Sequence, residues 1–426
     1  MYPLAKRPSV WLLPLFLVVA LVYLFSYTEM ELVRGSSQAA LAAASTTLLF
    51  SCLLSSLSAA VESSRENLSR GVLDAVSRSY FERVFFRLWP SVTAGVIVQF
   101  TSVIILLLNS KVIPQLSDGL ILFGYVQAIT AHAAFGNLLG QWFHGRFAIP
   151  LALVGSYLFL AFTGTSSFFP LHYLSGMTLN GCCMAAQNID FHAIWALVVF
   201  SALSTTGFII LAGTNRPLER KRISASLPSV HIATGTLLIL ASVATGLWLG
   251  KDLEGIPAVA MSDEQFECSN TRPQVCLNQV QLSGGDRRML VAQSITSLTK
   301  VGFPEPQRVT ASMDTDLTVE EDGVLLTAFE PSYTDEQVVY AAASSYASQL
   351  ANQLCDSDDF DQQYAMIQLL QEWSTGYAQE QVLGIPSGGL EQPLASLNRD
   401  EQQIWALRAY DSLTRCEVPA KPGKDS

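Results

Sequence analysis

The chain has 426 residues, half of them hydrophobic and only 14% charged, with a formal net charge of −11. A water-soluble chain of ordinary composition carries about 25% charged residues, so a wholly soluble protein is excluded. Residues 1–250 hold 14 Lys/Arg against 9 Asp/Glu, while residues 251–426 hold 11 against 27, and the acidic part would repel the phosphates of a nucleic acid.

Two unlike domains are therefore expected, 1–250 and 251–426, joined near Gly250. The N-terminal stretch places Lys6 and Arg7 before an apolar run that reaches Tyr27. A cleaved signal peptide has a shorter apolar core and a small-residue cleavage site, so this run reads as an uncleaved first span. Six more runs approach or exceed the roughly 20 residues that a bilayer requires. The seven lie near Ser9–Tyr27, Ala39–Val61, Leu88–Leu108, Gly119–Leu139, Ala148–Thr165, Ala193–Ala212 and Ser229–Leu249.

With the N-terminus inside, the inner segments 1–8, 62–87, 140–147 and 213–228 carry twelve Lys/Arg, and the outer loops 28–38, 109–118 and 166–192 carry two, Arg34 and Lys111. This bias is the positive-inside pattern. Seven spans then put residues 251–426 on the extracytoplasmic side. The protein is expected to be a multi-pass cell-membrane protein; an even number of spans, with a cytoplasmic tail, is the alternative.

Five of the twelve inner charges, Arg65, Arg70, Arg78, Arg83 and Arg87, fall in 62–87. Leu68, Val72, Val76, Tyr80, Val84 and Leu88 recur there at helical spacing. This pattern predicts a basic amphipathic helix at the cytoplasmic membrane surface.

Further along, His132 sits mid-span beside Gln127 and Asn137. A polar residue at that depth faces the bundle interior, either lining a pathway or bonding to a neighbouring helix. Asp190 and His192 open the sixth span, as a gate pair or as a solvated helix start. No lysine, arginine or carboxylate sits clearly mid-bilayer, which weakens a reading as an ion-coupled transporter.

The tail reads as an α+β domain. Helices are expected over Arg287–Val301, Asp335–Leu354 and Asp359–Ala378, with Thr334 and Gln337 forming a capping box on the second. A last helix begins at Asn398 and Glu401. Asp316–Phe329 reads as a hairpin turning at Asp322-Gly323. Cys268, Cys276, Cys355 and Cys416 form an even set of the kind that makes two disulfides in an oxidising compartment. Of the three connectivities, Cys268–Cys276 with Cys355–Cys416 is favoured, because ECSNTRPQVC reads as two strands around a Pro-containing turn. Cys52 reads as a small core residue, and Cys182 and Cys183 fall in the third outer loop.

Catalytic signatures are missing. No phosphate-binding G-x-x-x-x-G-K-[ST] loop, H-E-x-x-H or G-x-S-x-G occurs, and all five histidines lie before residue 251. No metal site, cofactor or enzymatic activity is expected. The acidic run Asp356, Asp358, Asp359 and Asp361 lacks the spacing of a calcium loop and reads as a solvated helix start.

Segment order adds a resemblance. AAVESSRENLSRGVLDAVSRSYFERVFFRLWP between spans two and three, and FFPLHYLSGMTLNGCCMAAQNID between spans five and six, resemble the corresponding regions of ABC-2 type permeases. With QVCLNQ after Cys268 and EQQIWALRAYDSLTRC near the end, the chain resembles actinobacterial ABC-2-like membrane proteins that add a seventh span and an extracytoplasmic domain. It departs from that pattern at Asn278-Gln279, where a histidine-proline pair is usual. The resemblance implies an exporter-type permease subunit, paired with itself or a second permease and driven by a separate ATPase. Arg70, Asp74, Arg78 and Arg83 would be the docking contacts. A membrane-anchored sensor or binding protein with an extracytoplasmic ligand domain is the other reading, and a degenerate peptidase a distant third.

Overall fold

The computed structural model describes residues 6–28, 30, 33–68, 80–183, 187–214, 227–253, 255, 257–260, 266–282, 285–312, 323–327, 333–352, 360–386 and 394–415. They form two compact units: residues 1–183 with 188–259, and residues 184–187 with 260–426.

The first unit is helical. Its main helices are α1 (Pro8–Tyr27), α2 (Ser37–Ala44), α3 (Leu48–Leu68), α4 (Tyr80–Ser110), α5 (Asp118–Trp142), α6 (Gly145–Thr165), α7 (Phe191–Gly213) and α8 (Leu227–Leu249). Among the described residues, seven helical segments are long and apolar enough to cross a membrane, α2 and α3 counting as one. Their outward faces fit that solvent. On α6, Phe147, Leu151, Val154, Leu158 and Phe162 are exposed at spacings of three and four residues, a stripe that lipid accepts and water does not.

Helix α3 is the hub, packed on by α1, α4, α5 and α6. Its sequence, LLFSCLLSSLSAAVESSRENL, is rich in Ser and Ala. Between helices whose outward faces are apolar, close approach of small residues supplies attraction through van der Waals contact. Gly136 and Gly140 of α5, four residues apart, provide it. A Cβ on Gly136 would stand 2.0 Å from the Ser56 carbonyl oxygen, and one on Gly140 would stand 2.6 Å from that of Ala60. Gly95 of α4 approaches the Ser51 carbonyl in the same way.

The second span is not straight. Between α2 and α3 lies a 3₁₀ turn, Ser45–Thr47, which tightens the helix and leaves carbonyls in need of donors. Gln99 of α4 meets that need: its Nε2 donates to the Ala44 carbonyl at 2.8 Å, and its Oε1 accepts from Thr47 and Ser51.

The second unit is α+β. Strands β3 (Phe266–Cys268), β4 (Gln274–Asn278), β5 (Arg308–Ser312) and β6 (Gly323–Thr327) form one sheet in that order. A two-stranded ribbon of β1 (Gln187–Ile189) and β2 (Ala258–Ala260) is not part of that sheet, and most of its residues belong to the first unit. β3 and β4 are antiparallel, pairing Cys268 with Cys276, and the two cysteines are disulfide-bonded. β4–β5 and β5–β6 are parallel, so a crossover is required between them; α9 (Arg288–Thr299) supplies the first. Val275, Leu277 and Val309 of the sheet are buried with Val291, Ile295 and Leu298 of α9. The rest of the core comes from α10 (Asp335–Asn352), α11 (Phe360–Leu383) and α12 (Arg399–Thr414), notably Tyr346, Trp373 and Trp405.

Helix starts follow local chemistry. Thr334 and Gln337 bond reciprocally at the start of α10, and Asn398 and Glu401 do so at the start of α12. Of the hairpin expected over Asp316–Phe329, the second arm is β6, which pairs with β5 in parallel; its first arm and Asp322 lie outside the described residues. Asn278 has a local task of its own: its Oδ1 accepts from the Gln281 amide, and its amide donates to Gln281 Oε1.

Candidate functional site

Three places in the molecule concentrate polar chemistry. The first is a charge cluster where the start of α1, the end of α3 and the start of α4 meet. Arg87 Nη1 lies 2.6 Å from Glu66 Oε2, and Arg7 Nε lies 3.9 Å from Glu62 Oε1. Arg7 Nη1 also donates to the Phe86 carbonyl, and Arg65 Nη1 donates to that of Lys6. Arg87 is 6% exposed, Arg7 8% and Glu62 9%. Helical order puts these groups there: Glu62 and Glu66 are one turn apart on α3, and Arg87 follows the first turns of α4.

Residues 62–87 are thus not one continuous surface helix in their described parts. Residues 62–68 extend α3, and residues 80–87 open α4. The apolar periodicity that suggests a surface helix is, at Val84 and Leu88, the buried face of α4. Arg83 stands half-buried in the first turns of α4. Arg70, Asp74 and Arg78 lie outside the described residues.

The second place is a small cavity of about 120 Å³ inside the first unit, lined by Phe135, Phe159, Phe200 and Phe208 with His132 and Ser156. His132 Nδ1 lies 3.0 Å from Ser156 Oγ, which joins α5 to α6. Nearby, Ser63 Oγ donates to Asn137 Oδ1 at 2.7 Å, joining α3 to α5. These are interhelical hydrogen bonds of the kind that fix a bundle. The cavity is apolar and, at this size, below the roughly 300–1,000 Å³ of small-molecule sites.

Asp190 and His192 are not part of that cavity. Asp190 is the N-cap of α7, accepting from the His192 amide at 2.8 Å, and His192 Nδ1 lies 2.9 Å from the same carboxylate oxygen. His192 is exposed. The Asp190 charge also acts on Tyr173, whose hydroxyl is pushed up to about 12 by burial first and by that carboxylate second. In the same loop Cys182 and Cys183 are bonded to each other, with Cys183 at a φ of 83°. Sequence reasoning left this adjacent pair unassigned.

The third place went unnoticed in the sequence. A groove of about 930 Å³ opens in the second unit between the β3–β4 turn, the outer face of α9 and the end of α11. Arg272, Arg288, Lys300, Asn270, Gln293 and Gln381 contribute to its walls. Arg288 grips Asp286 with two hydrogen bonds, of 2.8 and 2.6 Å. That hydrogen-bonded guanidinium holds the Asp286 carboxyl below its ordinary value. The turn is held by the Ser269 hydroxyl, which accepts from the Val275 amide and bonds to Thr271. A hint was available in the sequence: Arg272, Arg287, Arg288 and Lys300 stand with a single carboxylate, Asp286, among them, in a tail that is acidic elsewhere.

Of the tail cysteines, Cys268 lines this groove and is bonded to the buried Cys276, whereas Cys355 and Cys416 lie outside the described residues. Among the described residues no cluster of three or more His, Cys, Asp and Glu could hold a metal ion. Comparison of the chain with known proteins finds no matching family model, curated protein or solved structure.

Proposed function

We propose that the chain is a permease-like membrane subunit, exporter-type, driven by a separate ATPase that docks on residues 62–87. The observation that supports this reading is the charge cluster. Arg87–Glu66 and Arg7–Glu62 tie the start of α1, the end of α3 and the start of α4 together at the base of the segment that would receive the partner. Displacement of that segment would therefore be felt by three helices at once, and through α3 by α5 and α6. Such coupling is what a rocking mechanism needs, since packed helices move as rigid bodies. The subunit would act as a dimer or beside a second permease, with its N-terminus in the cytoplasm and residues 251–426 outside.

The test is co-purification in detergent of the full chain with a P-loop ATPase identified by mass spectrometry. The pair Arg78→Glu and Arg83→Glu should abolish it while leaving the membrane protein folded. Retention of the ATPase by that variant would sink the docking assignment.

A second reading is favoured by the groove: a membrane-anchored binding or sensory protein whose second unit takes a ligand outside the cell. Proteolysis of intact cells tests its orientation, and release of a fragment from the 260–426 region is expected. Protection of that region in intact cells but not in lysed ones would exclude it.

A further inference from the structure

We propose that the groove in the second unit binds a polyhydroxylated anion: a saccharide or polyol chain bearing carboxylate or phosphate groups. The inference deepens the second reading and rests on it.

The charge argument comes first. Residues 251–426 carry 27 acidic and 11 basic residues, so a random depression in this surface would be lined by carboxylates. This one is lined by Arg272, Arg288 and Lys300 against Asp286. Arg288 is matched by Asp286 at 2.6 Å. Arg272 and Lys300 are exposed and have no ion-pair partner among the described residues. At physiological ionic strength charges beyond about 8 Å are largely screened. The lining, not the net charge of the unit, therefore sets the field that a ligand meets. The first turn of α9 reaches the groove through Arg288 and Met289, and Asp286 Oδ1 caps that turn by accepting from the Arg288 amide at 3.2 Å, so the field rests on the side-chain cations and not on the helix end.

The remaining walls say what else the ligand carries. Asn270, Gln293 and Gln381 present amides, each offering both a donor and an acceptor, and Thr271 a hydroxyl. Groups of this kind match hydroxyls. The aromatic ring of the lining, Tyr377, stacks on Trp373 at 5.1 Å and carries the Arg399 guanidinium at 5.6 Å. The ring is already engaged by these two groups, which disfavours single-stranded nucleic acid, where bases stack on open rings. The volume exceeds what one inorganic anion fills and suits a ligand of several rings or repeat units.

The experiment uses the full chain in detergent and three labelled probes of similar length. These are a tetrasaccharide alternating glucuronate with N-acetylglucosamine, an oligomer of glycerol phosphate, and a neutral tetramer of N-acetylglucosamine. At least one anionic probe should bind ten-fold or more tighter than the neutral one, and its affinity should fall with salt. The arm that binds distinguishes carboxylate from phosphate. Arg272→Glu combined with Lys300→Glu should weaken binding ten-fold or more without lowering the melting temperature, since both side chains are exposed. Equal binding of the neutral tetramer, no binding of either anion, or an unchanged affinity in the double variant would each overturn the proposal. Binding in detergent does not depend on which side of the membrane the unit faces, so a failure here is distinct from a failure of the intact-cell proteolysis.

Discussion

Arg87 and Arg272 carry the same guanidinium into opposite settings. In the first unit, whose sequence is net positive, Arg87 is buried against Glu66 and Arg7 is buried against Glu62. In the second unit, which is strongly acidic, Arg272 and Lys300 stand exposed on the wall of a groove. Net charge therefore predicts neither place. A cation surrounded by apolar helices must find a carboxylate, because an unpaired buried charge is prohibitive. A cation in water is under no such demand and stays available to a ligand.

The comparison can be broken at its strongest point by attacking the packing beneath the cluster. Gly136→Ala drives a methyl into the Ser56 carbonyl at 2.0 Å and should cost about 3 kcal/mol or more, read as a lower melting temperature in detergent. Gly119→Ala, which meets nothing within 4 Å, is the matched control and should melt like the parent. Next, Arg87→Met removes the 2.6 Å bond to Glu66 at a buried site. A loss of about 3 kcal/mol is expected, and adding Glu66→Gln should recover part of it. If Arg87→Met melts like the parent, the cluster does not hold the three helices together.

Two smaller effects belong to the second unit. Asn398→Ala removes a capping box and should cost about 1 kcal/mol, confined to that unit's melting transition. Asp286→Asn releases Arg288 into the groove. Affinity for the anionic probe should rise by about threefold, with stability nearly unchanged because the pair is exposed. A fall in affinity would mean that Asp286 itself contacts the ligand.

Much of this architecture was legible in the sequence, and the reasons are local. The spans are visible because lipid-facing side chains must be apolar over their whole length. The starts of α10 and α12 are visible because capping couples residues three apart. What stayed hidden depends on residues distant in sequence. Glu66 and Arg87 meet only because α3 and α4 pack side by side, and no spacing rule relates them. The 3₁₀ turn at Ser45–Thr47 looks like ordinary helix until Gln99, on another helix, supplies the donor that steadies it. β6 pairs with β5 in parallel, a long-range choice that no local spacing encodes. The groove escaped notice because its walls come from a turn and two separate helices, and the apolar periodicity of α9 speaks only for its buried side. Of the candidate site residues, His132 is a polar residue on an apolar helix in the sequence, and only the packing of α5 on α6 gives it Ser156.

The serine-rich face of α3 bears on how the protein is made. A segment so polar would hesitate to leave the insertion machinery before α5 exists to cover it. Part of that difficulty is removed locally: Ser51 donates to the Thr47 carbonyl, Ser55 to that of Ser51, and Ser58 to that of Leu54. Ser56 and Ser63 instead donate to the Ala152 carbonyl of α6 and to Asn137 Oδ1 of α5. In a lipid environment the first group of hydroxyls would need nothing from a neighbouring helix, and the second would find its acceptors only as α5 and α6 pack.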